Sequence, residues 1–402
     1  MATDQVAERL QRIAPSATIA ATQKARELKA KGVNVISLGA GEPDFDTPEH
    51  VKEAAIEAIR RGETKYTAVD GMPELKDAIC KKFARDNALD YRMDEVSVSP
   101  GGKPVIFNAF MATLNPGDEV IIPAPYWVSY PDMAKMVGGE PVIVETSEAD
   151  GFLLSPEALD AAITDRTKWL ILNSPSNPTG GAYSRAALEG LAEVLRRHPH
   201  VMVLSDDIYE HVIYDDFQFH AFASVAADLK DRTLTMNGAS KAYAMTGWRI
   251  GFSAGPAWLI KAMAKVMSQS TSNPTSISQW ATVAALNGDH SFLKERNAAF
   301  KERRDMVVAM LNDADGLHCA TPPGAFYVFP SCKETTGKIT KTGTVLKSDE
   351  DFTAALLEEQ AVAAVFGAAF GAPGYFRISY AAALDQLREA CERIQVFCAS
   401  LK

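Results

Sequence analysis

The 402-residue sequence contains little cysteine and no long apolar run. Its five cysteines form no CxxC pair and are odd in number, so we expect reduced thiols in a cytoplasmic protein. The opening MATDQVAERLQRIAPSAT lacks the apolar run of a signal peptide, and no stretch approaches the roughly 18 apolar residues of a membrane helix. These absences argue against a membrane protein.

An excess of positive charge is absent too, because the net charge is −10. This balance argues against nucleic acid or an anionic membrane as the main partner. The two histidines of RRHPHV have no carboxylate or cysteine at ligand spacing, so no metal site is predicted. An anionic ligand would need a local cluster of cations and backbone N–H groups.

No internal repeat interrupts the chain, and short apolar runs alternate with helical patterns from about residue 95 to 256. The runs are EVIIPAP, PVIVET, KWLILNSP, VMVLSDDIY, TLTMNGAS and RIGFSAGP. This alternation is typical of an α/β fold with a mostly parallel central sheet and helices on both faces. We predict a large domain over residues 48–295 and a smaller α/β domain over residues 296–402. Residues 1–47 are expected to pack with the smaller domain.

Polar residues follow several of the predicted strands. Asp206 and Tyr209 end VMVLSDDIYE, Asn177 ends KWLILNSPSN, and Lys241 ends TLTMNGASK. Ligands of open α/β sheets lie beyond the carboxyl ends of the strands. One edge of the sheet would thus combine a carboxylate, a phenol, an amide and a lysine, which is more than a scaffold requires.

The turn GGKP, from Gly101 to Pro104, predicts a site for an anion. Glycine allows the backbone to approach a ligand, and proline suits a first helical turn whose N–H groups can bind negative charge. Alone the turn is a weak signal. Lys241 is ambiguous as well, since a lysine at a strand end is usually solvated, but its apolar neighbours favour a lowered pKa and Schiff-base chemistry.

Two other patterns have simpler interpretations. NPTG is a turn signature that needs no ligand. GAGEPD follows an apolar run, as a dinucleotide fingerprint would, but position 44 is Asp where that fingerprint has glycine. A nucleotide-binding oxidoreductase is therefore rejected.

Six motifs occur in a fixed order: SLGAGEPDFDTP, TKYTAVDGMPEL, PYWVSYP, NSPSNPTG, SDDIYE and SKAYAMTGWRIG. Together they resemble the pyridoxal-phosphate-dependent aminotransferases of class I/II, in particular the bacterial aspartate (aspartate/prephenate) aminotransferase branch. The resemblance runs from Pro15 to the closing helix and implies the fold type I architecture, with residues 48–295 as the cofactor-binding domain.

The resemblance also implies the roles of residues that hold pyridoxal 5'-phosphate. Lys241 would be the catalytic residue that forms an aldimine with the cofactor, and Arg249 would bind the phosphate. Asp206 would pair with the pyridine nitrogen, so that the ring can accept electrons from the substrate. Tyr209 and Asn177 would bond to the phenolic oxygen of the ring.

Further cofactor contacts are implied in the same way. Trp127 would stack on the ring, and the helix start at Gly101, Gly102 and Lys103 would cradle the phosphate, with a contact from Ser240. Tyr66 would reach the phosphate of the neighbouring subunit, which implies a homodimer with shared active sites. A cis peptide bond is predicted before Pro178.

The substrate-binding residues come from the resemblance too. Arg377 would hold the α-carboxylate, for which a planar guanidinium is well suited, and Gly41 would meet the substrate with its backbone. Trp127 and Asn177 are expected to contact the substrate as well as the cofactor. Lys103, Ser16 and Thr18 would bind the distal carboxylate of a dicarboxylic substrate.

One departure concerns the residue before PSAT, which is often basic in relatives but is Ala14 here. This difference argues against prephenate as a substrate, while aspartate stays the expected substrate. The expected activity is the transfer of an amino group between L-aspartate and 2-oxoglutarate with ping-pong kinetics, in amino-acid metabolism. The alternatives are an aminotransferase for aromatic amino acids, prephenate or a broader range, a lyase with the same cofactor, and a non-catalytic binding protein.

Overall fold

The computed structural model describes residues 6–15 and 17–402. The α-helices of these residues are α1 (Glu8–Gln11), α2 (Ala17–Ala30), α3 (Glu49–Arg60), α4 (Pro73–Asn87), α5 (Gly102–Thr113), α6 (Ser129–Met136), α7 (Pro156–Ala162), α8 (Arg185–Arg197), α9 (Phe222–Val225), α10 (Ala257–Ser268), α11 (Ser276–Asn287), α12 (Phe292–Asn312), α13 (Asp349–Gln360) and α14 (Leu384–Ala399). The strands are β1 (Ile36–Ser37), β2 (Val96–Ser99), β3 (Glu119–Ala124), β4 (Glu140–Glu145), β5 (Thr167–Asn173), β6 (Met202–Asp206), β7 (Thr233–Gly238), β8 (Gly251–Ala254), β9 (Tyr327–Val328), β10 (Val362–Ala363), β11 (Val365–Phe366) and β12 (Phe376–Ser379).

The central sheet has seven strands in the order β2-β8-β7-β6-β5-β3-β4. Neighbours from β4 to β7 run parallel, whereas β8 is antiparallel to both β7 and β2. The inner strands are continuous apolar runs because helices cover both faces of the sheet. The six runs predicted from the sequence are confirmed as β3 to β8, and the mostly parallel sheet with them.

Alternate residues of one strand enter different cores. Trp169 and Ile171 of β5 pack with α5, α6 and α10, while Leu170 and Leu172 pack with α7 and α8. In α8, Leu188, Leu191 and Leu195 lie on one buried face, as expected for a helix with apolar residues three and four positions apart. The side chain of Ser184 caps this helix by accepting the N–H of Ala187.

The C-terminal elements surround a second, three-stranded sheet. The sheet β11-β12-β9 packs with α12, α13 and α14 around one apolar cluster, and β1 pairs in parallel with β10. The N-terminal segment therefore contacts the C-terminal elements, while the boundaries at residues 47 and 295 stay a prediction. Across the two described ranges, we find no helix with both the length and the apolar character needed to cross a membrane.

Candidate active site

Several strands end at one edge of the central sheet. Because β8 is antiparallel to both β2 and β7, β2 runs in the same direction as β5, β6 and β7. Asp206 is the last residue of β6, Lys241 follows β7 closely, and Arg249 precedes β8, which begins at this same edge. The strand directions thus bring together residues that are far apart in the sequence.

A cavity of about 590 Å³ opens at this edge. Among the residues predicted to bind the cofactor, those that line it are Gly102, Lys103, Trp127, Asn177, Asp206, Tyr209, Ser240, Lys241 and Arg249. Among those predicted to bind only the substrate, Thr18, Gly41 and Arg377 line it as well. One cavity therefore holds both predicted groups.

Lys241 reaches into this cavity with a perturbed amine. Its Nζ donates a 2.5 Å hydrogen bond to the carbonyl oxygen of Gly41 and faces the rings of Tyr209 and Phe326. Burial, reinforced by the positive charge of Arg377, lowers the pKa of Lys241 to about 8. A fraction of the amine is thus uncharged near neutral pH, as a nucleophile or general base requires.

Asp206 is a buried carboxylate with a phenol as its partner. Burial raises the pKa of Asp206 to about 6, against hydrogen bonds from the Tyr130 phenol and the Ile208 N–H that lower the pKa. At neutral pH most of this carboxyl is therefore ionised. It offers a fixed negative charge to a cationic group inside the cavity.

Arg377 is 2% exposed and has two of its guanidinium nitrogens bonded. Nη1 donates to Oδ1 of Asn177 at 2.7 Å, and Nη2 donates to the carbonyl oxygen of Gly39 at 2.6 Å. Within the described ranges, Nε has no hydrogen-bond partner although it is buried. Buried donors are normally satisfied, so the free Nε marks Arg377 as a place for an acceptor such as a carboxylate.

The start of α5 lies against Arg249. Gly101 is the N-cap with φ of 104°, and a Cβ there would collide with Nη2 of Arg249. Nη1 of Arg249 donates to the carbonyl oxygen of Thr246. Unpaired N–H groups of a first helical turn beside a guanidinium form a strong site for a phosphate or another anion.

Lys103 and Trp127 face each other across the cavity wall. Nζ of Lys103 lies 4.9 Å from the centroid of the Trp127 ring, and burial together with the charge of Arg249 lowers the pKa of Lys103. An anionic group near Lys103 would relieve this repulsion between cations. Thr18, on α2, lines the same cavity.

Not every predicted residue comes together in the single chain. The side chain of Tyr66 is 91% exposed and does not line the cavity, and Gly101 touches Arg249 rather than the cavity itself. Ser16 lies outside the described residues. The cis peptide bond predicted between Asn177 and Pro178 is confirmed.

Several cavity residues were not predicted from the sequence: Tyr130, Asn173, Tyr327, Gln23 and Arg26. Two of them had a usable signal. Tyr130 belongs to PYWVSYP and lies three positions after Trp127, which predicts the same side of a helix. Asn173 is the last residue of a strand at the functional edge.

The chain belongs to the class I and II aminotransferases, because the family profile described as Aminotransferase class I and II matches residues 33–394. This is a family of pyridoxal-phosphate enzymes, and the fold described above is the fold type I of such enzymes. The chain is 60% identical to the aspartate/prephenate aminotransferase of Cereibacter sphaeroides over 98% of this chain and 99% of that one.

Solved structures agree with the assignment to this family. The crystal structure of an aspartate aminotransferase from Rhizobium meliloti matches with a TM-score of 0.96 and 56% identity, over 99% of this chain and 100% of that one. The aspartate aminotransferase of Thermus thermophilus with maleate matches with a TM-score of 0.91 and 45% identity, over 98% and 99% of the two chains.

Proposed function

We propose that this chain binds pyridoxal 5'-phosphate and transfers the amino group between L-aspartate and 2-oxoglutarate. The observation that carries the proposal is that Lys241, Asp206 and Arg377 line one cavity. The pKa of Lys241 is lowered, the pKa of Asp206 is raised, and the buried Nε of Arg377 has no hydrogen-bond partner among the described residues. Perturbed titratable groups that share one cavity are typical of active sites.

The residues present fit this cofactor. Lys241 would supply the amine for the aldehyde of the cofactor, and Asp206 would supply the counter-charge for the pyridine nitrogen. Arg249 and the α5 N–H groups at Gly101 and Gly102 would form the site for the phosphate. Ser240 would contact the phosphate and Trp127 the ring face. Tyr209 and Asn177 would bond to the phenolic oxygen. When bound, pyridoxal phosphate supplies an electron sink for the carbon that loses a proton.

The side chains of this protein would then handle the substrate and the proton. Arg377 binds the α-carboxylate and uses its free Nε or a rearranged Nη for a two-point contact. Lys241, whose pKa is lowered to about 8, would accept the proton that the substrate Cα loses. Gly41 holds that amine through its carbonyl oxygen.

The substrate is proposed to be a dicarboxylic amino acid. Lys103, Thr18 and Ser16 would bind the distal carboxylate, and the buried Lys103 gains most from an anion because its pKa is already lowered. The relative from Thermus thermophilus was solved with maleate, a dicarboxylate, which supports this class of substrate. Transfer of the amino group to prephenate, an oxo acid, is the second candidate. The name of the Cereibacter sphaeroides relative, an aspartate/prephenate aminotransferase, favours prephenate as a substrate. Ala14, at a position that is often basic in relatives, argues against prephenate.

We further propose a cytoplasmic homodimer in which Tyr66 of each subunit reaches the phosphate site of the other. Its 91% exposed side chain in the single chain supports a role at an interface. Residues 48–295 would form the large cofactor-binding domain. Residues 296–402, joined by residues 1–47, would form the small domain.

A half-reaction titration tests the proposal. The purified protein with its cofactor is mixed with aspartate, glutamate, alanine or phenylalanine, and the visible absorbance of the cofactor is followed. Prephenate, an oxo acid, is added instead to the protein whose cofactor has first been aminated. We expect aspartate and glutamate to deplete the absorbance of the aldehyde form at far lower concentrations than alanine. A protein that carries no such chromophore, or one that reacts equally with alanine, would contradict the proposal.

A further inference from the structure

Tyr327, in β9, occupies a position between two groups of the candidate active site. Its side chain is fully buried, and its hydroxyl lies 2.8 Å from the hydroxyl of Tyr209. The guanidinium carbon of Arg377 lies 4.6 Å from the centroid of its ring. Tyr327 thus touches both the arginine proposed to hold the substrate and the phenol proposed to hold the cofactor.

The two phenols have only two protons between them. Burial raises the pKa of Tyr209 well above its ordinary value and also raises the pKa of Tyr327, so both hydroxyls stay protonated in neutral solution. The charged groups that face the pair are Arg377, Asp206 and Lys241. One hydroxyl must therefore donate to the other and cannot also donate elsewhere.

We propose that Tyr327 donates to Tyr209 and thereby directs the proton of Tyr209 into the cavity, toward the phenolic oxygen of the cofactor. Tyr327 is in this sense a positioning residue, and the inference rests on the proposed function. The opposite arrangement would leave Tyr209 without a proton for the cofactor. A hydroxyl that accepts one hydrogen bond is also a stronger donor of its own, because bonds in a chain polarise one another.

The ring of Tyr327 has a separate role from its hydroxyl. The ring supports the guanidinium of Arg377, as aromatic faces do for cations. The hydroxyl also packs against the backbone of Gly41, where an added Cβ would lie only 3.0 Å from it. Phenylalanine at position 327 would remove the hydroxyl and keep the ring, so the two roles can be separated by one substitution.

The test uses Tyr327→Phe in the enzyme loaded with pyridoxal phosphate. A hydrogen-bond donor stabilises the deprotonated form of the chromophore, so a weaker donor should raise the pH midpoint of its visible absorbance change by about half a unit. The dissociation constant of the cofactor from the apoprotein should rise about twofold to threefold. The KM for aspartate should stay within about twofold of wild type, because the ring beneath Arg377 remains.

A double-mutant cycle decides whether Tyr327 acts through Tyr209. In a Tyr209→Phe background, Tyr327→Phe should no longer shift the midpoint, since the intermediate hydroxyl is gone. The matched control is Tyr380→Phe. Tyr380 is buried in the same core cluster and donates to the carbonyl oxygen of Ala325, but it does not line the cavity. This control should lower the melting temperature and leave the midpoint in place.

Three results would overturn the inference: no shift in Tyr327→Phe, an equal shift in the Tyr209→Phe background, or an equal shift in Tyr380→Phe. A wild-type protein that gains no visible chromophore with pyridoxal phosphate would instead overturn the proposed function itself. The failure of one proposal is thereby distinguished from the failure of the other.

Discussion

The phenol of Tyr130 donates a 2.6 Å hydrogen bond to Oδ2 of Asp206, and both side chains are buried. Tyr130 belongs to the first turn of α6, whereas Asp206 ends β6. The bond favours the ionised carboxylate, while burial favours the neutral one, and the pKa of about 6 reflects the balance of these two effects. In the cofactor-free chain Asp206 therefore titrates near pH 6.

Tyr130→Phe should move the acid limb of the pH profile to higher pH. Loss of the bond raises the pKa of Asp206, so the carboxylate needed opposite the pyridine nitrogen is lost earlier as the pH falls. We expect a shift of about half to one pH unit in kcat/KM for aspartate, and near wild-type activity at about pH 8. Tyr183→Phe is the control, since Tyr183 is buried, accepts the N–H of Leu154 and does not line the active-site cavity. A Tyr130→Phe profile that overlays the wild type would contradict this role.

Lys241→Met should change how the stability of the cofactor-free protein depends on pH. In the folded chain the pKa of Lys241 is about 8, below the ordinary 10.5, so the unfolded chain binds more protons between these values. The free energy of unfolding of the wild type therefore rises with pH through this window. We expect a rise of about 2 kcal/mol, less than the full pKa difference implies, because solvent in the open cavity screens the charge. Denaturant titrations at about pH 8 and pH 9.5 should show a smaller rise in the free energy of unfolding for Lys241→Met than for the wild type. Equal rises in the two proteins would contradict a lowered pKa of Lys241.

Arg377→Lys should raise the KM for aspartate. Lysine keeps the charge but loses the planar fork, and it leaves the acceptors on Asn177 and Gly39 poorly satisfied. A loss of about 2 kcal/mol corresponds to a KM about thirtyfold higher. The control is Arg304→Lys, since Arg304 is equally buried but bonded to Asp215, Asp305 and the carbonyl oxygen of Pro322. The control should lose stability with an unchanged KM, and a KM equally raised in both variants would rule out a specific role.

Lys103→Met should reduce the preference for dicarboxylic substrates. The variant keeps an unbranched side chain near Trp127 but removes the cation for the distal carboxylate. We expect kcat/KM for aspartate to fall about tenfold to a hundredfold, while kcat/KM for alanine changes by less than about threefold. Lys81→Met, at an exposed lysine paired with Asp77, serves as the control. An equal fall for both substrates would show that Lys103 acts on the cofactor rather than on specificity.

The edge of the sheet that carries the site could be predicted from the sequence. Buried parallel strands are continuous apolar runs with polar residues after them, as in KWLILN and VMVLSD, and the carboxyl ends of parallel strands meet at one edge. Asp206 and Lys241 were therefore placed together by local patterns alone. The direction of β8, which brings Arg249 to the same edge, could not be obtained from such patterns.

The hydrogen-bond partners of Tyr130 and Tyr327 show what local patterns cannot give. Each phenol lies in an apolar stretch, PYWVSYP or GAFYVFP, where a tyrosine with a functional hydroxyl resembles a tyrosine of the core. The partners Asp206 and Tyr209 are 76 and 118 positions away in the sequence. Only the packing of α6 against the sheet, and of β9 against the segment that follows β6, decides which hydroxyl meets which acceptor.

The sequence by itself determined the order of strands and helices, the family motifs and the charged residues at the functional edge, since these depend on periodicity and on chemistry carried by single residues. The tertiary structure decided the pKa of Lys241 and Asp206, the free Nε of Arg377 and the hydrogen-bonded pairs of phenols. These properties arise from burial and from distances between remote segments, which exist only when the chain is folded.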